Sequence, residues 1–517
     1  MLQGDCDLGD TKNEVEDEDE ASGSEVEIPR NTNTADARRT PLPWFQFSIV
    51  LFLQLAEPLT SSIIYPFVPQ LIRELGVTHG DEAKVGYYVG LIESLFFVTQ
   101  AITVLHWSRM SDRIGRKPVI LCGLMGLSAS MYSFGLSRTF LGLILSRCLN
   151  GALNGNIGVM KSMMAEMTDS SNISQAYAWV PISWSTGCTL APLIGGSLSH
   201  PAERFPRLFG RSRFLREYPY FLPCGISATF AVLAWFVTYF FLKETLAVKT
   251  PLALPGWLRR RKGWTSPDQG DGIADGASAS SSASSDPSQS PAAAKSIAGP
   301  LPLRALLTTR VLTATASYAA LALVDISYRA IQPLFLSTPL ALGGLGWPPA
   351  RIGRLLAAWG ILNGLFTAGC FARIHARWGT KRVFVWGLAS AIPVFALFPL
   401  ISGAARRAGT GTGGLVHGLV LLQVVVSLGL SLSYGAIFIF ISSAAPSRQS
   451  LGAVNGLSQV VVSIMRAVGP AAANSLFSVS ITSGWFGGQL VYVILVASTG
   501  VALLVSAMLP RHTTMPS

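Results

Sequence analysis

Six ionisable side chains stand inside long apolar stretches of this 517-residue chain: Glu57, Glu93, Arg147, Asp325, Arg329 and Arg466. Such a group costs about 2.5–3.5 kcal/mol in hydrocarbon even on a lenient insertion scale, so each marks a proton or solute path or a structural ion pair. Asp325 and Arg329 are four residues apart and share a helical face, where they either neutralise each other or serve a solute or proton. Glu57 and Arg147 have no opposite charge nearby in sequence. Glu57 is a candidate reversible proton carrier, and the alternative is a structural Glu57–Arg147 pair between helices. Asn455, Gln459 and Arg466 recur at helical spacing and line one stripe, facing either water or neighbouring helices. Gly187, Pro192, Gly195 and Gly196 bring small residues and a helix-breaker into another run, which permits close packing and a bend. Between two runs lie Asp112, Arg113, Gly115, Arg116 and Lys117. Gly115 supplies the freedom for a sharp reversal, and the basic groups suit anionic lipid headgroups. This loop is either a latch between moving parts or a topology signal.

Other chemistry finds no support. There is no GxxxxGK[ST] phosphate loop, H-E-x-x-H, CxxC or GxSxG, the six cysteines are scattered, and the six histidines are dispersed. Neither a disulfide framework, a metal site nor a cofactor is indicated, and no enzyme is expected.

The elements that must carry these residues are membrane helices. Half the residues are apolar and 13% are charged, against about a quarter in a soluble protein, and the mean hydropathy is +0.44. Twelve apolar runs recur, at roughly 45–72, 85–106, 118–136, 139–160, 176–198, 219–242, 311–336, 355–372, 383–402, 414–443, 451–478 and 486–509. Each approaches the about 17–25 residues needed to cross a bilayer as a helix. Twelve of the 28 acids precede residue 41, so residues 1–40 read as a disordered acidic cytosolic tail, and from Pro41 on 35 basic residues stand against 16 acidic ones. The basic residues fall in short clusters between apolar runs, which points to a membrane surface and not to nucleic acid.

A Gly/Ser/Ala-rich flexible linker, 246–304, divides the runs six and six. Trp107–Val119 laid over Phe371–Val383 matches at Arg109/Arg373, Arg113/Arg377, Gly115/Gly379, Lys117/Lys381 and Val119/Val383, the same loop in each half. The expected architecture is an all-α membrane protein of twelve transmembrane helices in two pseudo-symmetric six-helix bundles, 41–245 and 305–510, with a cytosolic C-tail at 511–517. With both termini cytosolic, 24 of the 39 Lys and Arg lie on the cytosolic side, Lys161 counted among them as a loop charge. The arginines of 200–218 fall on the other side, and nothing in the sequence explains them.

The stretch Ser108–Leu121, SRMSDRIGRKPVIL, resembles the D-R-x-G-R-[RK] loop signature of the major facilitator superfamily. Arg147 with Gly151 resembles that family's R-x-x-x-G element, and Gly187–Gly196 (GCTLAPLIGG) resembles its fifth-span antiporter element, with Ala191-Pro192 where Gly-Pro is usual. Gly452–Phe477 is similar to the eleventh helix of the fungal and plant drug/proton antiporter-like branch. TPLPWFQ (40–46), AEPLTSSIIYPFVPQLI (56–72), YYVGLIESLFF (87–97) and NGNIGVMKSMMAE (154–166) resemble fungal members related to tetracycline-efflux and zinc-induced-facilitator-like carriers. The resemblance implies a multi-pass secondary transporter in a plasma or vacuolar membrane. It further implies a monomer that exports a small solute by alternating access against proton entry, with Arg147 at the position tied to coupling. The alternatives are a facilitator or symporter on the same fold, or a non-transporting membrane receptor or scaffold.

Overall fold

The computed structural model describes residues 40–169, 172–246, 307–446 and 451–510. The acidic tail before Thr40, nearly all of the linker and the 511–517 tail lie outside the described residues. Among the described residues there is no strand.

The first apolar run is three helices, α1 (Trp44–Gln54), α2 (Ala56–Ser62) and α3 (Val68–Glu74). The breaks follow from Pro58 and Pro66, whose rings clash with the carbonyls four residues back, at Gln54 and Ser62, where α1 and α2 end. The second and third runs are α4 (Val85–Ile114) and α5 (Arg116–Leu136). The fourth is split at Asn154-Gly155 into α6 (Phe140–Leu153) and α7 (Asn156–Met167), and the fifth is α8 (Ile173–Leu198). Three short helices, α9 (Pro201–Arg204), α10 (Pro206–Phe209) and α11 (Arg213–Glu217), lead to the sixth, α12 (Phe221–Phe241).

The second half opens with α13 (Thr309–Ser337). The eighth and ninth runs share α14 (Pro349–Ala389), turned at Gly379, and α15 (Ala391–Ala408) completes the ninth. The last three are α16 (Gly414–Ala444), α17 (Leu451–Ser483) and α18 (Leu490–Ala507). Among the described residues eight helical stretches are long and apolar enough to span a bilayer by length and composition, the stretch Pro349–Ala408 holding two of the runs. The first and fourth runs fall short because they are broken, and the fifth carries Ser, Thr and Gln through its length.

Lipid tails are as apolar as leucine, so helices in a bilayer associate through close packing and polar contacts. Gly126 lies against Leu153, and Gly151 against the Phe96 carbonyl and Thr99, with no room for a side chain at either. Large apolar residues such as Ile102, Phe240, Leu365, Val501 and Leu504 are exposed, as a lipid-facing surface requires.

The repeat found in the sequence is structural. Gly115 (φ +112°) and Gly379 (φ +75°) hold the same unusual backbone, with ψ near 160° in both. Lys117 Nζ then donates to the Tyr239 carbonyl at 2.9 Å, at the end of α12. Lys381 Nζ donates to the Ala507 carbonyl at 2.8 Å, at the end of α18. Each lysine thus caps the negative C-terminal end of the sixth helix of its own half.

The segment 200–218 packs over the end of α3. His200 Nε2 lies 3.1 Å from Glu74 Oε1, and Tyr220 Oη donates to Glu74 Oε2 at 2.7 Å. Burial opposes ionisation of Glu74, but hydrogen bonds from His200, Tyr220 and Gln70 outweigh it and hold the carboxyl below its ordinary value. The bond to Glu74 raises His200, so its contribution is full below the ordinary histidine value and lost as pH rises through the raised one. Arg138 pairs with Glu217 and lies over the Tyr218 ring, and Arg204 donates to the Gly196 carbonyl. Nothing in the structure explains Arg207, Arg211 or Arg213.

Candidate functional site

The broken helices set the centre of the first half. The break at Leu55 puts Glu57 in the first turn of α2, 5% exposed. The break at Asn154 brings that side chain beside Glu57, with Gln100 of α4 donating to the Asn154 carbonyl at 3.5 Å. The Glu57 Oε2 and both polar atoms of the Asn154 side chain are buried without hydrogen-bond partners. The charges facing Glu57 are Arg466 of α17 and Lys161 of α7. Lys161, read from the sequence as a loop charge, is inside a helix because α7 continues to Met167, beyond the apolar run that ended at 160.

Arg147 of α6 is 2% exposed and lies 4.9 Å over the Phe96 ring. The ionisable groups that act on it most are Tyr65, an uncharged phenol, and Glu93, so the structure brings Arg147 to Glu93 and not to Glu57. Nε and Nη1 of Arg147 have no hydrogen-bond partner. Glu93 Oε2 accepts from Asn474 Nδ2 of α17 at 3.4 Å, which ties this pair to the other half.

In the second half Arg329 Nε donates to Asp325 Oδ2 at 2.8 Å, Tyr434 Oη donates to the same oxygen at 3.0 Å, and the guanidinium lies 4.5 Å over Trp359. Arg466 faces Tyr434, Tyr318 and Asp325. Pro470, four residues on in α17, removes the N–H that would have bonded the Arg466 carbonyl. Gln459 Nε2 donates to Tyr318 Oη at 3.3 Å, and Asn455 is half-buried one turn earlier. The ionisable candidates therefore gather as Glu93 with Arg147, Asp325–Arg329, and Glu57 with Lys161, while Arg466 faces both Asp325 and Glu57.

The halves meet along two helix pairs, α8 with α14 and α4 with α17. Gly196 abuts the Pro349 carbonyl and Gly353, while Gly90 abuts Pro470 and Asn474. Hydrogen bonds join the same pairs: Ser185 Oγ to the Gly360 carbonyl at 3.1 Å, and the Ala471 amide to Ser94 Oγ at 2.8 Å. Gly187 and Gly195 instead pack α8 against Pro58 and Ile63 of the first run, and α8 passes through Pro192 as one helix.

A sequence model described as Major Facilitator Superfamily matches residues 50–470. The chain belongs to the major facilitator superfamily. The major facilitator-type transporter psiT2 of Psilocybe cyanescens is 29% identical over 502 residues, covering 95% of this chain and 92% of that protein. The protein zinc induced facilitator 1 of Arabidopsis thaliana is 29% identical, with 85% of each chain covered. In fold, a bacterial homologue of the human lysosomal transporter Spinster, crystallised inward-facing and unoccupied, gives a TM-score of 0.61 at 13% identity over 92% of this chain and 100% of that one. The protein is accordingly a multi-pass membrane transporter of small molecules, built of twelve membrane helices in two pseudo-symmetric bundles, and not an enzyme.

The superfamily's loop signature is tied into its own half of the transporter. Arg116 pairs with Asp112 at 2.6 Å and with Glu166 at 2.9 Å, and Glu244 accepts from the backbone amides of Arg116 (2.8 Å) and Lys117 (3.2 Å). Arg116 Nη1 also donates to Ser111 Oγ at 2.6 Å. Arg113 is exposed. Gly115 sits against the Glu244 carboxylate at positive φ. Gly115→Val should therefore strain the loop by about 1–3 kcal/mol and reduce both transport and the melting temperature in detergent, with membrane targeting intact. An unchanged melting curve would show that the loop accommodates the side chain.

Proposed function

We propose that this transporter works as a monomer that exports its solute against proton entry, with Glu57 as the proton-carrying group and the Asp112 end of the molecule on the cytosolic side. The observation that supports this is the placement of Glu57: a buried carboxyl with a free oxygen, facing Arg466 from the opposite half. A proton on Glu57 removes the attraction between the halves there and leaves Lys161 and Arg466 to repel each other. Its loss restores the attraction. Protonation thus has different free energies in states that bring the halves' inner faces together or apart, which is the requirement for coupling. The sidedness rests on the distribution of Lys and Arg among the loops. The Asp112–Arg116–Glu166 cluster acts as the latch of the first half, exchanging partners as the cytosolic end closes.

The test uses inverted membrane vesicles and a solute found by screening a strain lacking the protein against drugs, metals and organic acids. With the lumen acidified, wild type should accumulate the solute. Glu57→Gln should lose accumulation while retaining downhill exchange. Gradient-driven accumulation surviving in Glu57→Gln would move the proton role to Glu93 or Asp325, and accumulation confined to right-side-out vesicles would reverse the direction. A facilitator or symporter is the second reading, favoured by Ala191 where the antiporter element usually has glycine. It predicts no solute-driven proton movement in the opposite direction.

A further inference from the structure

Where α4 meets α17, at the end of the molecule away from Asp112, glycines press the halves together. A side chain at Gly86 would meet Ser478 and the Asn474 carbonyl, and one at Gly90 the Pro470 carbonyl and Asn474. One turn further along α4 stand Glu93 and Ser94, and both reach α17. Ser94 Oγ accepts from the Ala471 amide at 2.8 Å, and Glu93 Oε2 accepts from Asn474 Nδ2 at 3.4 Å. Glu93 is 2% exposed and Asn474 is fully buried. The other polar atom of that side chain, Asn474 Oδ1, is a buried acceptor with no donor.

A carboxylate cannot supply the missing donor, because it only accepts; a protonated carboxyl can. In the acid form Glu93 would accept from Asn474 Nδ2 and donate its O–H to Asn474 Oδ1, the two planar groups closing a ring of two hydrogen bonds. In the ionised form it keeps the first bond only and leaves a buried acceptor unpaired, which is unfavourable. Its better partner is then in its own half. α6 runs beside α4 in the same direction, with Gly151 against the Phe96 carbonyl and Thr99, and with the Arg147 guanidinium 4.9 Å over the Phe96 ring. Arg147 is one turn back from Gly151, and Glu93 one turn back from Phe96, so the two stand at the same level. Among the described residues no carboxylate lies within ion-pair distance of Arg147, and its Nε and Nη1 are buried without acceptors. Glu93 thus reaches Asn474 and leaves Arg147 short of acceptors, which is the arrangement expected of the acid form. The other titratable group facing Glu93 is the Tyr65 phenol.

We propose that Glu93 and Asn474 form a proton-dependent clasp between the halves: the acid form of Glu93, its proton positioned by Asn474, holds the α4–α17 seam shut, and the carboxylate turns back to Arg147 and releases it. The proton exchanges with water while the seam is open, since closure buries the carboxyl. Protonation therefore favours the closed seam, and the closed population rises as pH falls. The clasp goes beyond the antiport reading and does not depend on Glu57. On the sidedness proposed above, a proton arriving from outside shuts the outer end.

The test follows the seam itself. Spin labels at Lys84→Cys and Ser483→Cys, exposed positions just before α4 and at the end of α17, are placed in the full-length protein with its six native cysteines replaced by alanine. Double electron–electron resonance in detergent then gives the distance between them. Between about pH 8 and about pH 5 the ratio of short to long distances should rise about tenfold, the worth of one net hydrogen bond. Asn474→Asp makes two carboxyls share one proton, so closing should move to higher pH. Asn474→Leu should stay largely open at every pH, whereas a merely structural Asn474 would change the ratio and leave its pH dependence intact. Glu93→Gln/Arg147→Gln puts an amide in the place of the acid form without stranding a charge, and should stay closed at every pH. Distances that ignore pH in the otherwise unaltered protein, or a pH dependence that persists in the double variant, overturn the clasp. A pH dependence lost in Glu57→Gln and kept in the double variant would overturn it in favour of Glu57. A clasp that behaves as expected beside gradient-driven accumulation in Glu57→Gln would stand, and only the reading of Glu57 would fall.

Discussion

Arg147→Gln should lower the stability of the folded transporter by about 3–5 kcal/mol, because it removes the counter-charge of a carboxylate that has no route to bulk water. Glu93, 2% exposed, depends on Arg147 and on one long hydrogen bond from Asn474. Glu93→Gln alone leaves the guanidinium stranded over Phe96, with two nitrogens already lacking acceptors, and should be comparably damaging. The double variant Glu93→Gln/Arg147→Gln keeps the volumes and deletes both charges. It should recover most of the lost stability, since a buried pair contributes little net energy although breaking it is costly. Fluorescence-monitored melting of the purified proteins in detergent measures all three. Losses that simply add in the double variant would show that the two residues do not act as a pair, and recovery by Glu57→Gln instead would restore the pairing expected from the sequence.

The seam between halves gives the second large effect. Gly196→Val would drive a side chain into the Pro349 carbonyl and to within 2.9 Å of the Gly353 Cα. Neither obstacle is a side chain that can rotate away. Overpacking of this kind costs about 1–3 kcal/mol, and if the contact exists in only one conformation the cost appears as a 5- to 150-fold shift in the balance between states. Exchange of solute across proteoliposomes should fall by about that factor, with a smaller effect on melting. Gly500→Val is the control, since nothing lies within 4 Å of a side chain there. Equal exchange rates in the two variants would mean that the α8–α14 contact is not part of the cycle.

What the sequence made legible was whatever depended on neighbours along the chain. Twelve apolar runs became the membrane helices, and the four-residue spacing of Asp325 and Arg329 became an ion pair. The matched loops became two glycines with the same backbone. Partners across space were not legible. Arg147 faces a carboxylate 54 residues away on another helix, while Glu57, the partner weighed from the sequence and 90 residues away, faces Arg466. Lys161 was misplaced for a different reason: the break at Asn154-Gly155 restarts the helix, so α7 carries the lysine past the end of its apolar run. Asn154, Gln100 and Tyr434 carry no charge, and uncharged polar residues in an apolar run announce themselves weakly until the fold shows them converging.

The twin lysine caps have a mechanical consequence. Lys117 fastens the turn between α4 and α5 to the end of α12, and Lys381 fastens the corresponding turn to the end of α18. Each half is therefore braced across its own base, like a truss closed by a tie. Among the described residues the hydrogen bonds that join the halves lie along two closely packed helix pairs, α8–α14 and α4–α17. If each braced half moves as a unit, the softest motion is a rocking of one truss on the other, and its thermal amplitude is taken up at the seam. A push delivered anywhere on a half, by a solute at the centre or by lipid pressure at the rim, is then felt at the seam before it distorts the helices themselves.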